Sequence, residues 1–261
     1  MVVTPQECET ARVGALRRCS ALLGEAASLC YSAKKETPRI DGAALERLMS
    51  YCDFAALERT PLERDPFEYV VVPEFLKRDR FPDVLAAYPD VPGPGSHPPA
   101  ELSIKGHFQA LIGELLGPRF QAAIEHKFGI DLAGRPTMYT VRGFVNERDG
   151  SIHTDTDTKI ITVLLYMNEH WQKDAGRLRL LRSPDNLDDY VAEVPPNGGT
   201  LLVFKRAHNS WHGHKPVSGR RRAIQLNWVT SQEVVDYEQR RHQISTKFKK
   251  FKNMFIPSSA A

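Results

Sequence analysis

The chain has 261 residues, 41% of them hydrophobic and 26% charged, a balance that suits a globular fold and excludes a disordered chain. Its 35 basic and 32 acidic residues leave a net charge of +3, too little for a surface built to hold nucleic acid, so no nucleic-acid partner is expected. No run of about 18 apolar residues is present, so no membrane-spanning helix is expected. The N-terminal stretch ARVGALRRCSALLGEAASLCYS is interrupted by arginines and a glutamate where a secretory leader needs a continuous apolar core. A cytoplasmic location is the resulting expectation.

Residues 1–58 read as a helical extension, from ALRRCSALLGEAASLCYSA through GAALERLMSYCDFAALER, with the breaker-rich KKETPRIDG between. Cys8, Cys19 and Cys30 recur every eleven residues, about three helical turns, so one helix could carry them on one face with their thiols too far apart to bond. Together with Cys52 they are expected as free thiols. Residues 67–76, FEYVVVPEFL, are β-branched and aromatic between prolines and predict a strand; RDRFPDVLAAYP predicts a short helix. Residues 89–102 are dense in Pro and Gly and predict a loop, which could serve as a lid together with the turn at 145–150. Residues 108–130 show helical spacing with a break at Gly117-Pro118, a helix pair.

Beyond Pro136 the pattern turns to strands: TMYTVRGFV, KIITVLLYMN, GRLRLLRS, YVAEVPP, GTLLVFK and RAIQLNWV, separated by turn-rich NERDG, PDNLDD, PNGG and SG. Six short strands of this kind predict a sandwich or jelly roll, mainly β with helices flanking it. At the end, STKFKKFKNMF (245–255) interleaves four lysines with three phenylalanines, a basic terminal helix that packs its phenylalanines on the domain or touches an acidic partner or a membrane surface.

Two stretches concentrate metal-ligating side chains. In SIHTDTDTK (151–159), His153 and Asp155 stand at i and i+2, so an extended backbone turns both to one side, where they can share an ion. A third ligand must come from elsewhere, and His208, His212 and His214 all qualify by alternation alone. Two histidines and a carboxylate on one octahedral face leave three positions open, the donor set of a non-haem iron that must also bind a co-substrate and oxygen.

In order, HTDTDTKIITVLLYMN, GRLRLL, PPNGGTLLVF, SWHGHKPV and RAIQLNW resemble the Fe(II)/2-oxoglutarate-dependent dioxygenases, in particular the prolyl-4-hydroxylase-like branch. The likeness covers residues 65–230 or so and implies a double-stranded β-helix (jelly-roll) dioxygenase domain over 59–235, with 236–261 as a basic helix or tail. It implies His153, Asp155 and His212 as metal ligands, with Asp157 in a turn or behind the ligands and His208 and His214 as neighbours. It also implies Arg222, six residues before Trp228, as the anchor of the 2-oxoglutarate carboxylate in preference to Arg220 or Arg221, with Tyr166 adding a hydroxyl donor. Guanidinium suits that role because it meets a carboxylate through two parallel hydrogen bonds. Fe(II), 2-oxoglutarate and O2 follow as the cofactor set, with ascorbate as an optional reductant. The implied reaction hydroxylates a C–H bond of a prolyl or other peptide residue, an amino acid or a small molecule, releasing succinate and CO2. Arg142, on the strand leading to the site, meets an anionic part of the substrate if it points inward and solvent otherwise. A cupin-like isomerase and a non-catalytic metal-binding β-sandwich are the alternatives; neither needs an arginine anchor or a keto acid.

Overall fold

The computed structural model describes residues 49–241. The three cysteines of the predicted N-terminal face and the basic stretch 245–255 lie outside the described residues. Helix α1 (Phe54–Arg59) starts where Asp53 accepts a hydrogen bond from the Ala56 amide, an N-cap. The expected continuous helix through 42–59 is therefore broken at 50–53. There Cys52 bridges to Leu76, and the Glu114 carboxylate accepts from the Ser50 hydroxyl and the Tyr51 and Cys52 amides. Cys52 is a buried free thiol, its pKa raised by burial and then by Glu114.

Strand β1 (Tyr69–Val72) and helix α2 (Phe81–Ala86) follow. The helix pair is α3 (Gly106–Leu115) and α4 (Pro118–Phe128), divided at Gly117, with Pro118 at the first helical position where its missing amide costs nothing. Strands β2 (Thr137–Val145), β3 (Lys159–Tyr166), β4 (Leu178–Leu181), β5 (Tyr190–Val194), β6 (Leu201–Lys205) and β8 (Gly219–Val229) match the six predicted runs. One strand was not predicted, the two-residue β7 (His212–Gly213). Residues 232–241 are helical.

The strands form two antiparallel sheets, one ordered β1-β6-β3-β8-β2 and the other β5-β4-β7, the layers of a jelly-roll core that does not close into a barrel among the described residues. Period-two alternation gives the larger sheet two different faces. One face, carrying Val141, Ile161, Val163, Leu165, Ile224, Leu226 and Trp228, is buried with Phe108, Leu111, Phe120 and Ile124 of α3 and α4. The other carries Tyr166, Leu202, Phe204 and Ala223 and packs on Leu178, Leu180 and Val194 of the small sheet.

The Pro/Gly-rich loop 89–102 is not a free lid. His97 exchanges both backbone hydrogen bonds with Val141, at 3.0 and 2.8 Å, and Pro94 bridges to Phe144, so the loop is stitched to the edge strand β2. Trp228 joins the helices to the sheet, its ring 6.0 Å from that of Phe120 and only 1% exposed. Trp228→Ala should cost about 3–5 kcal/mol by opening a cavity there, read as a lowered urea midpoint with an unchanged slope.

Candidate metal and co-substrate site

The site begins with a β-bridge. His153 and His212 exchange backbone hydrogen bonds, each 3.0 Å, which sets residues 59 positions apart directly opposite one another. Their rings stand 4.4 Å apart between centroids, and Phe204 packs on the His212 ring at 4.9 Å. In both rings Nδ1 lies 2.9 Å from a backbone carbonyl, that of Ser151 for His153 and of Ser210 for His212. A carbonyl oxygen only accepts, so each Nδ1 carries the proton and each Nε2 keeps its lone pair for a metal.

Asp155 completes the group. Ligand atoms of His153, Asp155 and His212 lie within 4.8 Å of one another, a set that could hold a metal ion. The Asp155 carboxylate is buried and held from behind: Asn227 donates to Thr162 Oγ1 at 2.8 Å, and Thr162 donates in turn to Asp155 Oδ2. Lys159 Nζ sits 2.5 Å from Oδ1. Burial pushes the Asp155 carboxyl up, but Lys159, His212 and Thr162 together outweigh it and hold the pKa below the usual value. Burial also pushes His212 down to about 4, with His153 adding to the effect and Asp155 opposing it. Both groups are thus in their metal-binding protonation states at neutral pH.

Asp157 is exposed and paired with Arg206, and His208 is exposed; neither lines the cavity. His214 does line it, its amide donating to the Gly150 carbonyl at 2.9 Å and its Nδ1 to the Lys215 carbonyl. The turn reaches this ring only because residue 150 is glycine: φ is +92°, and a Cβ would lie 2.4 Å from the imidazole.

The triad opens onto a cavity of about 530 Å³ between the sheets. Arg222 does not reach it. That residue lies on the helix side of β8 with Ile224, Leu226 and Trp228, its guanidinium 5.3 Å above the Tyr88 ring, so of the three consecutive arginines Arg221 lines the cavity and Arg222 does not. Arg221, Ala223, Gln225 and Asn227 face the cavity. The paired register slips between Arg142↔Ala223 and Phe144↔Arg220, which sets Arg221 and Arg222 together against Gly143. Arg221 is 6% exposed, its Nε donating to the Gly176 carbonyl at 2.9 Å and its guanidinium 5.2 Å over the Tyr166 ring. Tyr166 lines the cavity and is fully buried. Its pKa is raised by burial against the pull of Arg221 and Arg142, which keeps the phenol a neutral donor. Arg221 Nη2, Tyr166 Oη and Arg142 Nε are all buried with no hydrogen-bond partner among the described residues. Buried donors in that state call for an acceptor from a ligand.

Sequence reasoning missed the hold on Asp155 by Lys159, Thr162 and Asn227. The alternation of Thr162 with Ile161 and Val163, and of Asn227 with Leu226 and Trp228, was the available signal, since polar residues at one parity of an otherwise apolar strand mark a face with a different task.

The model of the 2OG-Fe(II) oxygenase superfamily matches residues 138–230. Among solved structures, the chain is similar to a prolyl-4-hydroxylase of Pseudomonas putida, with 18% identity, 69% of this chain and 96% of that one covered, and a TM-score of 0.43. It is also similar to a prolyl hydroxylase of Trichoplax adhaerens, in complex with a hypoxia inducible factor peptide fragment, at 18% identity, 75% and 94% coverage and a TM-score of 0.40. A third is a viral collagen prolyl hydroxylase from Paramecium Bursaria Chlorella virus-1, at 14% identity, 62% and 96% coverage and a TM-score of 0.42. No curated protein sequence matches the chain.

The depressed His212 has a consequence for the metal-free protein. An unfolded histidine titrates near 6.5, whereas this one titrates at about 4 when folded. Between those values the unfolded chain binds the extra proton, so stability is complete above 6.5 and declines as the pH falls to 4, by roughly 3 kcal/mol. Urea unfolding with a chelator present should show this loss between pH 6.5 and 4, and His212→Gln should flatten that part of the curve.

Proposed function

With residues 138–230 placing the chain in the 2OG-Fe(II) oxygenase superfamily, we propose that His153, Asp155 and His212 hold the iron and that Arg221 and Tyr166, not Arg222, anchor 2-oxoglutarate. The protein is a 2-oxoglutarate-dependent oxygenase, whose cofactor set is Fe(II), 2-oxoglutarate and O2. The observation that carries the residue assignment is the pair of free Nε2 lone pairs and the Asp155 carboxylate facing a cavity whose far wall offers unpartnered donors from Arg221 and Tyr166.

The chain's own residues do four things. Backbone carbonyls hold Nδ1 of each imidazole as the donor, so Nε2 is the nitrogen that would meet a metal. Thr162 and Lys159 orient Asp155 and keep it ionised. Arg221, rooted on the Gly176 carbonyl, can give a carboxylate a charge-assisted hydrogen bond beside the Tyr166 hydroxyl. The apolar walls Leu164, Leu178 and Phe204 exclude water from the space between. Iron held by His153, Asp155 and His212 would supply the coupled oxidation in which a substrate C–H becomes C–OH while 2-oxoglutarate and O2 are converted to succinate and CO2.

Without oxygen, adding Fe(II) and 2-oxoglutarate should produce the visible absorption of the keto-acid chelate, a band that a cupin isomerase or a metal-binding module without a keto-acid site lacks. Asp155→Ala or His212→Ala should abolish the band. Arg221→Met removes a charge-assisted hydrogen bond worth about 1.5–3 kcal/mol, so the 2-oxoglutarate Kd should rise roughly 10- to 100-fold, while Arg222→Met leaves it within about twofold. The reverse pattern in these two variants would return the anchor to Arg222.

A further inference from the structure

The cavity holds a second guanidinium that the co-substrate does not need. On β2, Met138, Thr140 and Arg142 face the cavity while Tyr139 and Val141 pack toward the helices. Arg142 stands opposite Ala223 in the β2–β8 ladder, which makes Arg221, on the same face, its diagonal neighbour. Among the described residues Arg142 makes no ion pair, and its buried Nε has no partner. The nearest carboxylate of influence, Asp149, instead accepts from the Asn146 amide at 3.0 Å.

Charge tells the same story. Among the described residues, five basic side chains line the cavity against three acidic ones. Two of these oppositions are closed, Lys159 with Asp155 and Arg241 with Glu238 at 2.6 Å. That leaves Arg142, Arg148 and Arg221 facing Asp149. An Fe(II) ion and a 2-oxoglutarate dianion add no net charge, and the distal carboxylate of 2-oxoglutarate satisfies Arg221 and Tyr166. Arg142 and Arg148 would then share the one carboxylate of Asp149, which leaves one positive charge in excess in a cavity from which water is displaced, at a free-energy cost unless a further anion meets it. Burial and the repulsion of Arg221 already lower the pKa of Arg142.

We propose that the substrate carries a carboxylate and that Arg142 receives it, orienting the substrate across the cavity from the metal ligands. A carboxylate suits a single guanidinium because the planar fork satisfies both oxygens at once. The inference rests on the oxygenase reading of the same site. The carboxylate could belong to a free amino acid or to a glutamate or aspartate side chain of a peptide, and the same chemistry serves both.

The test uses the full chain loaded with Fe(II) and 2-oxoglutarate under nitrogen. Three probe sets are added: the twenty free L-amino acids, their carboxamides, and N-acetylated, amidated tripeptides with a central Glu, Asp or Pro. Binding is read from the shift of the chelate band and by calorimetry with Mn(II) in place of Fe(II). We expect a free amino acid or an acidic tripeptide to bind, and the matching carboxamide or the neutral proline tripeptide to bind at least tenfold more weakly. A hit among the amino acids assigns the small-molecule source, and one confined to the acidic tripeptides assigns the peptide source. Arg142→Met should erase that discrimination while the 2-oxoglutarate Kd stays within about threefold, and Arg142→Lys should restore part of it. A tenfold loss of 2-oxoglutarate affinity in Arg142→Met would instead make this residue a second clamp on the co-substrate and overturn the proposal. Carboxamides binding as well as acids, or no carboxylate binding at all, would overturn it too. A chelate band that never forms in the unsubstituted chain would mark the failure of the oxygenase site itself.

Discussion

The short bridge between His153 and His212 is the constraint on which the site depends. Two reciprocal backbone hydrogen bonds bring together segments 59 residues apart, and the same geometry sets their rings 4.4 Å from each other. A hydrogen-bonded antiparallel pair places its side chains on one face, so the position of the second histidine is fixed by main chain and not by side-chain packing alone. The carbonyls of Ser151 and Ser210 then decide which nitrogen of each ring faces inward. Asp155 enters two residues later in the chain, steadied by Thr162 from the neighbouring strand.

Around that bridge the larger sheet works as a partition. Its helix side is apolar and closes against α3 and α4; its inner side carries Thr162, Tyr166, Arg221 and Asn227 among apolar residues. Polar and charged groups are tolerated there because the cavity, unlike the helix layer, admits water or ligand. The interior is also unevenly charged. The Asp155 carboxylate of the ligand set is engaged by Lys159, while Arg142, Arg148 and Arg221 share the single carboxylate of Asp149 among the described residues that line the cavity. The proposed keto acid would span this cavity from the histidine–aspartate group to Arg221, and Arg142 lines the same cavity beyond it.

Much of this was legible in the amino-acid order. The six principal strands, the helix break before Pro118 and the His-x-Asp pair all follow from alternation, turn residues and the stiffness of proline. The strand reading of residues 137–145 and 219–229 also contained the two faces of the sheet, since Arg221, Ala223, Gln225 and Asn227 alternate with Arg222, Ile224, Leu226 and Trp228. Counting back from Trp228 selected the face that packs on helices, because a tryptophan marks burial without saying against what. The break at 50–53 escaped for a related reason: the Glu114 carboxylate that captures those amides lies more than 60 residues away.

The sequence by itself determined the local elements and a short set of histidines, because periodicity and residue chemistry act over a few positions, and its motifs carried the likeness that implied the reaction class. Tertiary structure alone decided which of three consecutive arginines enters the cavity and that Arg142 lies beside it, and it set His212 directly opposite His153. Those choices depend on which strand is hydrogen-bonded to which and in what register. A slip of a single residue carries a side chain through the sheet to its other face, and nothing within one strand records the register of its neighbour.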